Sequence, residues 1–76
     1  MEGLNLRTFV VVNGNEYVVS TVYAYALGWE TMVSRTNGDQ TVVDWQEIDK
    51  YTRRYFSEEK AREGHRETII ALRRDA

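Results

Sequence analysis

The sequence predicts an α+β fold, an antiparallel four-stranded sheet with one C-terminal helix across a face (ββββα), in a single domain over residues 1–76. Three observations predict it. Two Asn-Gly signals, at 13–15 and 37–40, separate runs rich in Val, Thr and Tyr. The apolar period changes from two to that of a helix after residue 56. No proline interrupts either part.

Residues 7–12, "RTFVVV", form the first expected strand, and "NGN" (13–15) turns the chain. Asn-Gly supplies the positive φ angles that a tight hairpin needs, so 16–27, "EYVVSTVYAYAL", returns as the second strand. Gly28 lets the chain corner into the third, "WETMVSRT" (29–36), and "NGDQ" (37–40) turns it again. In 41–56 we expect a break near 44–47 and a fourth strand over about 48–56. The helix follows in "SEEKAREGHRETIIALRR" (57–74). There Ala61, His65, Thr68, Ile69 and Leu72 share one face. Ser57 is placed to cap it, with Glu58 and Glu59 in the first turn and Arg73 and Arg74 in the last, which complements the helix dipole. Gly64 costs a helix about 1 kcal/mol relative to Ala and so implies close approach to the sheet.

In the second strand Val18, Ser20, Val22, Ala24 and Ala26 project to one side. Tyr17, Val19, Thr21, Tyr23, Tyr25 and Leu27 project to the other. The small aliphatic side suits a close-packed helix, and the tyrosine side is then left uncovered. A core this small rarely supplies more than about 3–5 kcal/mol. Cysteine is absent and His65 is the one histidine, which excludes disulfides, thiolate chemistry and a His-rich metal site within one chain. The remaining remedy is self-association, so we expect a homo-oligomer joined through Tyr17, Val19, Tyr23 and Tyr25. No apolar run is long enough to span a membrane and no signal-peptide pattern opens the chain, which predicts a cytoplasmic protein without membrane partners.

Candidate chemistry is sparse. The serines Ser20, Ser34 and Ser57 have one possible histidine base, which falls on the buried helix face, and no phosphate-binding glycine motif occurs. We therefore expect no enzyme, no cofactor and no metal. Residues 50–74 hold eight Lys and Arg against four Glu, whereas 1–49 hold two Arg against seven acids. That asymmetry is read either as salt bridges on a dipolar surface or as an anion site. "KYTRRYF" (50–56) interleaves base and ring; alternation puts Tyr51, Arg53 and Tyr55 on one face and Lys50, Thr52, Arg54 and Phe56 on the other. Arg grips phosphate while Tyr stacks on a base; the plainer reading pairs these arginines with Glu59, Glu63 or Glu67. Trp29 and Trp45, beside turns, are core lids or stacking platforms.

Ser20-Thr21-Val22, Glu30-Thr31-Met32-Val33, Trp45 with Glu47 and Asp49, Arg54-Tyr55, Glu58-Glu59 and Gly64-His65 follow one another in order. Over about residues 19–66 this line resembles a widespread family of short, mostly uncharacterised phage and prophage proteins. Ser34 departs from it, since the family usually has an aromatic after Met-Val, and so does the short connection over 23–28. The resemblance implies a phage accessory protein, similar to the oligomeric anti-CBASS sponges that sequester a cyclic nucleotide immune signal of the cyclic GMP-AMP type without cleaving it. On that reading the ligand contacts are Arg53, Arg54 and Tyr55 with Trp29, Thr31 and His65. The setting would be the cytoplasm of an infected bacterial host. A rival expectation is a phage protein that inhibits a host protein by direct binding. Stable nucleic-acid binding is disfavoured by the net charge of −2.

Overall fold

The structure, a computed structural model, describes residues 5–26, 28–38, 42–44 and 51–75, of which 42–44 by backbone path. Its elements are β1 (Asn5–Val12), β2 (Asn15–Ala24), β3 (Gly28–Thr36), β4 (Val42–Asp44), β5 (Arg53–Tyr55) and α1 (Glu58–Asp75). The sheet is antiparallel in the order β1-β2-β3-β4, and β5 also pairs with β3. The outer edge of β3 is thus shared, with β4 at its C-terminal end and β5 at its N-terminal end. The sheet is four strands wide with its fourth position in two pieces, and one helix completes the expected α+β fold. The expected strand over 48–56 is described only as Arg53–Tyr55. Trp45, Glu47, Asp49 and Lys50 lie outside the described residues.

Local chemistry accounts for the elements. Asn13 (φ 51°) and Gly14 (φ 80°) both take positive φ, so a two-residue turn joins β1 to β2 and pairs Val12 with Asn15. From that fixed register, Thr8 opposes Val19 and Leu6 opposes Thr21; on the far side Val19 opposes Val33 and Thr21 opposes Thr31. At the head of α1 the Lys60 N–H donates to Ser57 Oγ at 3.2 Å and the Ala61 N–H to the Ser57 carbonyl at 3.0 Å. Glu58 and Glu59 stand in its first turn, and Arg73 and Arg74 in its last. The buried face of the helix is Ala61, Gly64, His65, Thr68 and Leu72. Among the described residues, no helix is long and apolar enough to cross a membrane.

The helix covers the opposite side of the sheet from the one expected. Leu72 joins Val10, Val12, Val19, Val33 and Tyr51 in the core, with Tyr17, Ile69 and Ala71 packed against it. These strand residues all share the face of Tyr17, Val19 and Thr21. The register explains the choice: it lines that face with Thr8, Val10 and Val12 from β1 and with Thr31 and Val33 from β3, a bed of β-branched side chains. The expected intermolecular patch is corrected accordingly. Val19 is fully enclosed within the chain and Tyr17 is half-buried against its core. Tyr23 and Tyr25 remain exposed, and Tyr25 lies beyond the end of β2. The face of the sheet away from α1 carries Phe9, Val11, Val18, Ser20, Val22, Met32 and Ser34, of which Val18 is buried and Val11 exposed.

Candidate functional site

A groove of about 330 Å³ runs between β5 and α1. It is lined by Tyr51, Arg53 and Tyr55 from the strand segment and by Glu67, Thr68, Ile70, Ala71 and Arg74 from the helix. Strand alternation brings Arg53 and Tyr55 to one side, as the sequence led us to expect, whereas Tyr51 precedes β5 and lines the groove from outside the strand. Pairing of Arg53 with Thr31 and of Tyr55 with Trp29 fixes that side as the one facing the helix. On α1 the lining residues form the stripe next to the buried one, three and four residues apart.

Gly64 is what lets the helix come this close. A Cβ built there would fall within the Tyr55 ring, meeting Cζ, Cε2 and the hydroxyl. The Tyr55 ring therefore stands where a side chain on the helix would otherwise be. Burial pushes the Tyr55 phenol above its ordinary 10.0, and the Glu67 carboxylate pushes the same way. Arg53 and a hydrogen bond with Thr68 pull back. The phenol thus stays protonated at neutral pH and keeps its donor. Tyr51 is largely buried, and its hydroxyl donates to Asp75 Oδ2 at 3.0 Å. Arg53 and Arg74 are both exposed; Arg53 donates to the Thr52 carbonyl at 2.8 Å, and Arg74 Nε stands 3.5 Å from Asp75 Oδ1. The groove therefore presents two guanidinium groups beside the half-buried Tyr55 ring and the edge of the largely buried Tyr51, with Glu67 and Asp75 as counter-charges. Such a lining suits an anionic ligand that also has a flat ring.

The six candidate ligand residues do not form one site. Arg53 and Tyr55 meet in the groove. Arg54 points to the other side of the sheet, where its guanidinium bonds Glu30 Oε2 at 3.0 Å. The plainer reading of these arginines holds for Arg54, although its partner is on β3 rather than on the helix. Trp29 packs against Tyr23, ring centroids 5.0 Å apart and tilted by 59°. Its indole N–H is enclosed and finds no acceptor among the described residues.

Thr31 and His65 lie inside the protein. Thr31 is fully enclosed, and its hydroxyl bonds the Thr21 hydroxyl at 2.6 Å. The Thr21 oxygen also bonds His65 Nδ1 at 2.7 Å, while His65 Nε2 bonds Thr8 Oγ1 at 2.9 Å. Both ring nitrogens are satisfied by hydroxyls from two strands, so the imidazole is a structural bridge between helix and sheet rather than a ligand contact. Burial pushes its pKa below the ordinary 6.5.

Sequence reasoning missed Arg74 and Glu67 as groove residues and Thr8 and Thr21 as partners of His65. The stripe beside the buried helix face could have pointed to the first pair. Two threonines opposite one another on a buried face could have pointed to Thr21. No family model, curated protein or solved structure matches the chain.

Proposed function

We propose that the chain is a non-catalytic binding protein that sequesters a cyclic nucleotide of the cyclic GMP-AMP type, acting from a phage as a homo-oligomeric sponge against a bacterial defence signal. The observation that carries this reading is the groove between β5 and α1, where Arg53 and Arg74 stand with the rings of Tyr51 and Tyr55. Its volume, about 330 Å³, lies at the small end of ligand sites, which run to roughly 1,000 Å³. One phosphate with its neighbouring base or ribose matches that space, and the rest of a cyclic ligand would lie over the exposed rim. The source and the choice of ligand class rest on the resemblance, whose Arg-Tyr and Gly-His elements are Arg54-Tyr55 and Gly64-His65. Of these, Tyr55 lines the groove, and Gly64 lets its ring pack against the helix. A sponge acts by stoichiometry, so affinity and abundance take the place of turnover.

A second reading, inhibition of a host protein by direct binding, is favoured by one observation. Tyr25 and Phe56 are 88% and 83% exposed, larger than a water-facing surface requires. Titration calorimetry with a panel of cyclic dinucleotides separates the two readings. Saturable binding that Arg53→Ala weakens at least tenfold, and that Arg54→Ala leaves unchanged, supports the sponge. Absence of heat with every member of the panel refutes it and directs attention to Tyr25 and Phe56.

A further inference from the structure

The two edges of this sheet are treated differently. The outer edge of β3 is occupied by β4 and β5, whereas among the described residues nothing pairs on the outer edge of β1. The turn at Asn13-Gly14 settles which backbone groups face outward there. The pair flanking a two-residue turn, Val12 and Asn15, exchanges both its hydrogen bonds, and bonding then alternates along the ladder. Leu6, Thr8 and Val10 therefore bond to β2. Asn5, Arg7, Phe9 and Val11 direct their N–H and C=O groups away from the sheet.

Exposed edges in monomeric proteins are blunted by proline, bulges, inward charges or brevity. β1 has none of these. It is eight residues long, contains no proline, runs in unbroken register with β2 and carries one charge, on Arg7. Its outer groups are also self-complementary. In an antiparallel pairing about a two-fold axis, outward residues meet outward residues. The register that sets Asn5 opposite Val11 and Arg7 opposite Phe9 uses all four of them. It also keeps the two Arg7 charges apart and lays each guanidinium beside an aromatic ring.

We infer that the outer edge of β1 pairs antiparallel with the same edge of a second copy, joining two sheets into one and making the protein a closed dimer. Closure follows from the occupied edge: with the three-residue β4 and β5 on β3, the joined sheet offers no further free strand of comparable length among the described residues, so the contact is isologous and does not propagate. Val11, 66% exposed in the single chain, and Phe9 then extend the face away from α1 across the junction. This inference deepens the oligomeric part of the proposed function and rests on no ligand. The groove lies at the opposite edge of the sheet, so failure of either reading is seen separately.

Native mass spectrometry with amide hydrogen exchange tests it. The expected result is a dimer in which the Arg7, Phe9 and Val11 amides are protected and lose that protection on dilution, while the Leu6, Thr8 and Val10 amides stay protected throughout. Val11→Pro removes an outward N–H without touching a β1–β2 bond, and should give a monomer that keeps its circular dichroism. A monomer at every concentration overturns the inference. So does a dimer in which the Arg7, Phe9 and Val11 amides exchange freely, which would place the contact elsewhere. Should the proline variant fail to fold, the alternating exchange pattern of the unaltered chain decides.

Discussion

Replacing Gly64 by Ala sets two known effects against each other at one position. In an ordinary helix interior the change stabilises by about 1 kcal/mol, because glycine loses more backbone freedom on folding. Here the new methyl would enter the space of the Tyr55 ring. The ring must shift to admit the methyl. Its backbone is paired to β3 through Trp29, so the shift has to come from the side-chain torsions of Tyr55. Overpacking of this sort costs about 1–3 kcal/mol against a helix gain of about 1 kcal/mol, so the net effect of Gly64→Ala is destabilisation of up to about 2 kcal/mol. For a domain of this size each kcal/mol moves Tm by about 4–8 °C. In a Tyr55→Ala background the obstacle is gone, and the same Gly64→Ala change should stabilise by about 1 kcal/mol. Thermal and urea unfolding of the four proteins in this cycle give the coupling directly. A reversal of sign between the two backgrounds is the expected result. Stabilisation by Gly64→Ala in the unaltered chain would show that Tyr55 does not occupy the helix surface, and part of the lining of the proposed groove would go with it.

Three further predictions follow from the buried hydroxyls and the surface ion pair. Because burial lowers the pKa of His65, the folded state disfavours the protonated ring. The associated stability is present above the ordinary value of 6.5 and is lost as pH falls from there through the folded pKa, so the urea midpoint should drop over that interval. His65→Gln should flatten the dependence, and an unchanged slope in that variant would assign it to other groups. Thr21→Val keeps the shape of the side chain but strips hydroxyl partners from both His65 Nδ1 and Thr31, at a cost of about 1–3 kcal/mol in denaturant unfolding. Arg54→Ala breaks a partly exposed pair with Glu30 and should cost at most about 1 kcal/mol, with a salt-sensitive difference in Tm.

The helix was legible almost to the residue, because its cap, charge order and apolar stripe are all local properties of 57–74. The β1–β2 hairpin was legible too, but its register was not: the Asn-Gly-Asn turn signal spans 13–15, whereas positive φ at Asn13 and Gly14 makes a two-residue turn and sets Val12 opposite Asn15. Which face the helix would cover was not. Alternation says which side chains of β2 travel together, but both sides of β2 are apolar, and the decision lies with neighbours from β1 and β3. Tyr17 suggested an uncovered side through its size, whereas Thr8, Thr31 and Val33, distant in sequence, made that side the core. The site divides in the same way. Arg53 and Tyr55 fall together by strand period alone, whereas Tyr51 joins them from the turn before β5. The crossing of α1 that adds Glu67 and Arg74, and that hides His65 behind Thr21, is a property of the packed molecule.

The chain of groups from Thr31 through Thr21 and His65 to Thr8 has a sense of direction. Each hydroxyl has a single hydrogen to give. If His65 carries its proton on Nδ1, the ring donates to Thr21, Thr21 donates to Thr31, and Thr8 donates to Nε2. With the proton on Nε2 every arrow reverses. The molecule therefore has two internally consistent polarities along one row of bonds, and a change of tautomer requires the Thr8 and Thr21 hydroxyls, on two different strands, to turn in concert. A row with such all-or-none character should show as slowly exchanging hydroxyl protons, and as one dominant tautomer in the ¹⁵N shifts of a single imidazole.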